Sequence, residues 1–132
     1  LLLRLNKNKN KKTKLKMENL TKETFKEKVF DFENSEEWNF IGDKPTIVKF
    51  GTLWCGPCKT IAPVLEELSV EYDGKVDIYS VDVDDESELG SVFGIKSVPS
   101  ILFIPMGSQP QMSQGGMGKN DLEKAIIDIL KV

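Results

Sequence analysis

The feature that most constrains this chain is a junction. A β-branched and aromatic run, "TIVKFG" (46–51), bounded by Pro45 and Gly51, reads as a strand. After three intervening residues Cys55 opens an apolar-striped helix, "CGPCKTIAPVLEELSVEY", which "DG" ends at 73–74. Ile61, Val64, Leu65 and Leu68 form its stripe, and Pro63 inside it predicts a kink. A strand, a short loop and a helix opening at a cysteine restrict the chain to folds in which a helix packs back on a sheet.

The remaining periodicity completes an α/β pattern. Thr21 is an N-cap for "KETFKEKVFDF", with Phe25 and Val29 at helical spacing. "KVDIYSVDVD" (75–84) alternates as a strand and "ESELGSVFG" (86–94) reads as a short helix. "SILFIPM" (100–106) is an apolar strand, "GSQPQ" a turn and "MSQGG" a short edge strand. "NDLEKAIIDIL" closes as an amphipathic helix with Leu122, Ile126, Ile129 and Leu130 inward. This order predicts one mixed sheet with helices on both faces.

Charge divides the chain. Residues 1–16 hold seven basic residues and no acid, against a net charge of -3 for all 132 residues. The basic Asn/Lys-rich stretch, residues 1–17, reads as a disordered tail, with 18–132 as the domain; the expectation is a natural start at or near Met17, or a tail left from a truncated leader. The acidic body has no general attraction for nucleic acid. No apolar run approaches the ~20 residues of a membrane span.

Cys55 and Cys58 are the only cysteines, and histidine is absent. Four-ligand zinc would need carboxylates or a second chain. Cysteine–histidine nucleophilic catalysis lacks its base. Redox chemistry fits better. The free N–H groups and positive dipole end at a helix start favour a thiolate. Cysteines at i and i+3 share one side of that turn, so one sulfur can displace what the other captures. Cys55 is expected to be the more exposed nucleophile and Cys58 the resolving thiol. Pro57 suits the first turn because its missing N–H would have had no partner there.

"FGTLWCGPCKTIAPVLEEL", "VDVDDESELGSVFGIKSVPSILF" and "GGMGKNDLEKAI" together resemble the thioredoxin family over roughly residues 18–132. The resemblance implies a thioredoxin fold and reversible protein thiol–disulfide exchange. It implies a reducing dithiol with Gly56 and Pro57 between the cysteines, and Trp54 and Pro57 shaping the rim. Pro99 matches the family's cis-proline facing the disulfide. The backbone of Val98 is then free to pair with an extended substrate. Gly115 and Gly116 match a region where small residues let substrate backbone approach; a simple loop pair is the alternative.

No metal or organic cofactor is implied. The expected partners are disulfide-bearing proteins and a separate upstream reductase, since no nucleotide fingerprint is present. A cytoplasmic monomer is the expectation. An exported oxidase or isomerase, and a non-catalytic binding module, are the rivals.

The sequence departs from the pattern at Lys49. The family usually carries a buried Asp here and often a Lys at the position of Ser80. Alternation puts Thr46, Val48 and Phe50 on one face and Ile47 and Lys49 on the other. A buried neutral Lys49 would accept a proton; a charged one would stabilise a thiolate; a snorkelling one would do neither. Gly51, Thr52 and Leu53 replace an aromatic and small residues. The long segment 31–45 carries Trp38 and Phe40, expected to cover the core.

Overall fold

The computed structural model describes residues 17–132; the expected basic tail lies outside the described residues, Met17 excepted. Among these residues five strands form one sheet: β1 (Glu18–Asn19), β2 (Thr46–Gly51), β3 (Asp77–Asp82), β4 (Ser100–Ile104) and β5 (Gln111–Gln114). Their order is β1-β3-β2-β4-β5, with β1, β3 and β2 parallel and β4 and β5 antiparallel to their neighbours. The helices among the described residues are α1 (Lys22–Lys28), α2 (Gly56–Glu71), α3 (Ser87–Val92) and α4 (Lys119–Ala125). A π-helical turn, Ile126–Leu130, continues α4.

Alternation along β2 divides the core. Ile47 packs with Ile61, Leu65, Leu68, Ile78, Phe103 and Leu122, between the sheet and α2 with α4. Val48 and Phe50 pack with Leu20, Phe25, Val81 and Leu89, between the sheet and α1 with α3. The expected two-faced α/β architecture is present.

The structure corrects several expected boundaries. The first helix ends at Lys28, not Phe32, because the backbone leaves helical geometry at Val29 (φ -120°, ψ -64°). That turn sends Phe30 into the core against Trp38, ring centroids 4.8 Å apart. The start of α1 is as expected: Thr24 N–H donates to Thr21 Oγ1 and Thr21 N–H to Thr24 Oγ1, a reciprocal cap.

β1 had no sequence signal. It is held by the exposed edge of β3, where Leu20 N–H donates to the Ser80 carbonyl at 2.8 Å. The runs at 75–84, 86–94 and 100–106 are trimmed to Asp77–Asp82, Ser87–Val92 and Ser100–Ile104. Pro63 lies within α2, which continues to Glu71.

Candidate active site

The parallel strands β2 and β3 both end at the pole where α2 begins, so whatever α2 carries in its first turn sits above the sheet's carboxyl edge. Cys55 is the N-cap of α2, in extended geometry (φ -84°, ψ 116°), and Gly56 and Pro57 occupy the first turn. Cys55 and Cys58 are joined as a disulfide, with Cα atoms 5.2 Å apart. The Cys58 N–H donates to Cys55 Sγ at 3.1 Å. A sulfur in that place is served as an N-cap oxygen would be, and the same donor and helix dipole favour its thiolate after reduction.

The expected difference in exposure between the two cysteines is small here. Cys55 is 4% exposed and Cys58 2%. Gly56 and Pro57 form the exposed surface above them, and Trp54 stands beside them at 70% exposure. Trp54 Nε1–H donates to Asp84 Oδ2 at 2.8 Å, which holds the ring to the loop after β3.

Two further segments lie beside the loop and first turn that carry the disulfide. The Val98–Pro99 peptide is cis, as the resemblance implied. Pro99 is buried and Val98 half-buried, at the start of β4. Gly115 N–H donates to the Pro99 carbonyl at 2.8 Å, with Gly115 at φ +90°, where a side chain would be strained. A side chain added at Gly116 would come within 4.0 Å of Pro57 Cβ. The fold therefore brings Trp54, Gly56, Pro57, Val98, Pro99, Gly115 and Gly116 to the same pole of the sheet as Cys55 and Cys58. Shallow grooves lie on either side. One is lined by Trp54, Val83, Ile95 and Val98, the other by Pro57, Ile61, Gly116 and Met117.

Beneath the disulfide the arrangement is unusual. Lys49 lies on the α2-facing side of β2, directly opposite Ser80 on β3. A Cβ added at Gly51 would lie 2.9 Å from Cys58 Sγ and 3.6 Å from Lys49 Cε. The resolving sulfur and the lysine stem thus converge on the space that Gly51 leaves open. Burial lowers the Lys49 pKa from its ordinary value, while Glu66 on α2 and Asp82 on β3 act to raise it. Burial likewise raises the Glu66 carboxyl, and Lys49 opposes that shift.

Glu66 is the residue that sequence reasoning missed. Its Oε1 is buried with no hydrogen-bond partner, although it lies outside the apolar stripe of α2. Its position eight residues after Cys58 was the only sequence signal that it faces the same side. Among the described residues no cluster of three or more cysteines and carboxylates is placed to hold a metal.

Comparison with known proteins agrees with this geometry. The family model described as Thioredoxin matches residues 16–128. A thioredoxin of Borreliella burgdorferi is 44% identical over 110 residues, covering 83% of this chain and 94% of that protein. Thioredoxin 1 of Nostoc sp. is 32% identical over 107 residues, covering 81% and 91%. Among solved structures, chloroplastic thioredoxin z superposes with a TM-score of 0.74 at 26% identity, over 89% of this chain and 96% of that one. With the cysteine pair, cis-proline and sheet order all in place, the chain belongs to the thioredoxin family and is a thiol–disulfide oxidoreductase with protein-disulfide reductase activity.

Proposed function

We propose that this protein works as a general dithiol reductant, with Cys55 as nucleophile and Cys58 as resolving thiol. The observation that carries the assignment is the hydrogen bond from Cys58 N–H to Cys55 Sγ at the first turn of α2. In the reduced protein the Cys55 thiolate attacks one sulfur of a substrate disulfide. A Cys55–substrate mixed disulfide forms, and the substrate's other sulfur leaves as a thiolate. Cys58 then loses its proton and attacks Cys55 Sγ. The Cys55–Cys58 bond forms and the second substrate sulfur leaves. Two electrons pass to the substrate, and solvent protons neutralise its thiolates.

Substrate backbone is received along Val98 as an added extended segment, with Gly115 and Gly116 leaving room for it. A separate reductase returns two electrons to Cys55–Cys58, and the working form is a cytoplasmic monomer. No helix among the described residues is long and apolar enough to cross a membrane.

An equilibrium titration against glutathione tests the direction of the chemistry. A potential at the reducing end of the dithiol range supports the assignment, and one near the oxidising end would replace it with an oxidase. Cys58→Ser is expected to accumulate a mixed disulfide with client proteins, and Cys55→Ser to accumulate none. Cell fractionation reads the compartment, and sedimentation the monomer.

A further inference from the structure

The ground beneath Cys58 is built differently from its rim. β2 and β3 end side by side, and a cavity of about 170 Å³ opens between them, lined by Asn19, Lys49, Gly51, Thr52, Ser80 and Asp82 among others. Its volume is well above the ~10–15 Å³ that one water requires, and its walls are polar enough to hold water. Thr52, only 9% exposed, has a buried hydroxyl with no partner in the protein. A buried hydroxyl left without a partner costs about 1–3 kcal/mol, so a water at this wall is the economical solution. Ser80 Oγ and Asn19 Oδ1, 3.0 Å apart, sit on the same lining, and Asn19 is exposed. The cavity therefore reaches solvent.

Gly51 joins the cavity to the chemistry. It lines the cavity, and the direction its side chain would have taken meets both Cys58 Sγ and Lys49 Cε. From these contacts we propose that Lys49 is the proton acceptor for Cys58 in the resolving step, working through water in this cavity, which returns the proton to solvent past Ser80 and Asn19. The proposal rests on the thiol–disulfide reading above and specifies its second half.

The step balances as follows. The Cys58 thiol passes its proton through cavity water to the neutral Lys49 amine. Cys58 Sγ then displaces the captured group from Cys55 Sγ, and the leaving sulfur departs as a thiolate with the bonding pair. The Lys49 ammonium afterwards loses its proton to the cavity. Desolvation favours the neutral amine that the step requires. The charged groups bearing on Lys49 are Glu66 from α2 and Asp82 from β3, both of which favour the ammonium, with Cys58 as the proton donor.

The reduced protein is mixed with dithiobis(nitrobenzoate), which yields two successive releases of coloured thiolate. The first reports capture by Cys55 and the second reports resolution by Cys58. The ratio of the second rate to the first is expected to fall roughly ten- to a hundredfold in Lys49→Ala, at or below the lower end of general-base effects. Lys49→Arg keeps the charge but cannot act as a base, so it is expected to fall alike and guards against misfolding. Ethylamine is expected to restore the Lys49→Ala ratio in proportion to its free-base concentration. Ser80→Leu, filling the cavity from the far strand, is expected to block that rescue.

An unchanged ratio in Lys49→Ala would overturn the proposal. So would full activity in Lys49→Arg, or equal rescue by tetramethylammonium, since either would mean that the lysine acts by charge alone. Failure of the wild type to give any first release would instead remove the dithiol assignment itself.

Discussion

Trp54 Nε1 donates to Asp84 Oδ2 at 2.8 Å across 30 residues of sequence, although the indole is 70% exposed. The bond ties the loop that delivers Cys55 to the turn that follows β3. A large apolar ring steadied in solvent by one hydrogen bond is a partly preformed surface: its rotamer is biased before a partner arrives, which lowers the entropy cost of binding.

Asp84→Ala is therefore expected to weaken capture of protein substrates several-fold, through KM more than kcat. Stability should change by less than about 1 kcal/mol, because the bond is exposed. Steady-state reduction of a protein disulfide, set beside urea denaturation, checks both. An equal loss with a small-molecule disulfide would show that the bond serves the sulfurs and not the docking surface.

Gly51→Ala is expected to destabilise the oxidised protein by about 1–3 kcal/mol. The new methyl would stand 2.9 Å from Cys58 Sγ, inside van der Waals contact, and the sulfur would have to shift. Thermal denaturation of the oxidised form reads the cost directly.

Lys49→Met is expected to raise stability at neutral pH by on the order of 1 kcal/mol. The sign follows from the direction of the shift. With its folded pKa below 10.5, Lys49 binds its proton less readily in the folded state than in the unfolded one. Its charge therefore opposes folding below the folded pKa. That penalty is relieved as pH rises towards 10.5, so the wild type should gain on the variant across that interval. Denaturation midpoints of both proteins from pH 7 upward test this. A gain in stability joined to a loss in resolution would mark Lys49 as retained for chemistry.

Glu66→Gln is expected to stabilise slightly above pH 4.5 and to do nothing at lower pH. The raised carboxyl binds a proton more readily in the folded state, so ionisation opposes folding as pH climbs from the unfolded value through the folded one. Because Lys49 lowers this pKa, Lys49→Met should push the Glu66 titration higher still, and NMR titration of the side-chain carbonyl reads the movement.

Phe25→Ala is expected to cost about 3–5 kcal/mol and to leave the redox pair intact in whatever fraction stays folded. The ring is fully buried, 5.5 Å from Phe93 and near edge-on to it, in the half of the core away from α2. Urea unfolding gives the value.

The junction at 46–58 was legible in the sequence because each level agreed there. Strand propensity, the glycine stop, proline in the first helical turn and the apolar stripe of α2 all point one way. The placing of Ile47 and Lys49 opposite Val48 and Phe50 was legible for the same reason, since a period of two admits no other solution. β1 was not, because Glu18 and Asn19 carry no strand preference and take their geometry from the open edge of β3. Nor was the end of α1, where the pull of Phe30 into the core overrides a continuing helical pattern.

The underside of the site was half legible. Lys49 stood out against the family pattern, but the cavity that gives it a task depends on Gly51, Thr52 and Ser80 meeting from two strands and a loop. Glu66 lies outside the apolar stripe of α2, so hydrophobic periodicity did not mark it. Its buried oxygen emerges only when α2 is laid on the sheet.

The near-complete burial of Cys55 carries a consequence for traffic through the oxidised form. A bond between two residues this buried exchanges slowly with passing thiols, so a small thiol such as glutathione needs time to equilibrate with it. Refuelling is then fastest for visitors whose contours match the rim well enough to bring a sulfur to the bond. Selectivity in this half of the cycle is a matter of admission, set by shape before voltage has any say.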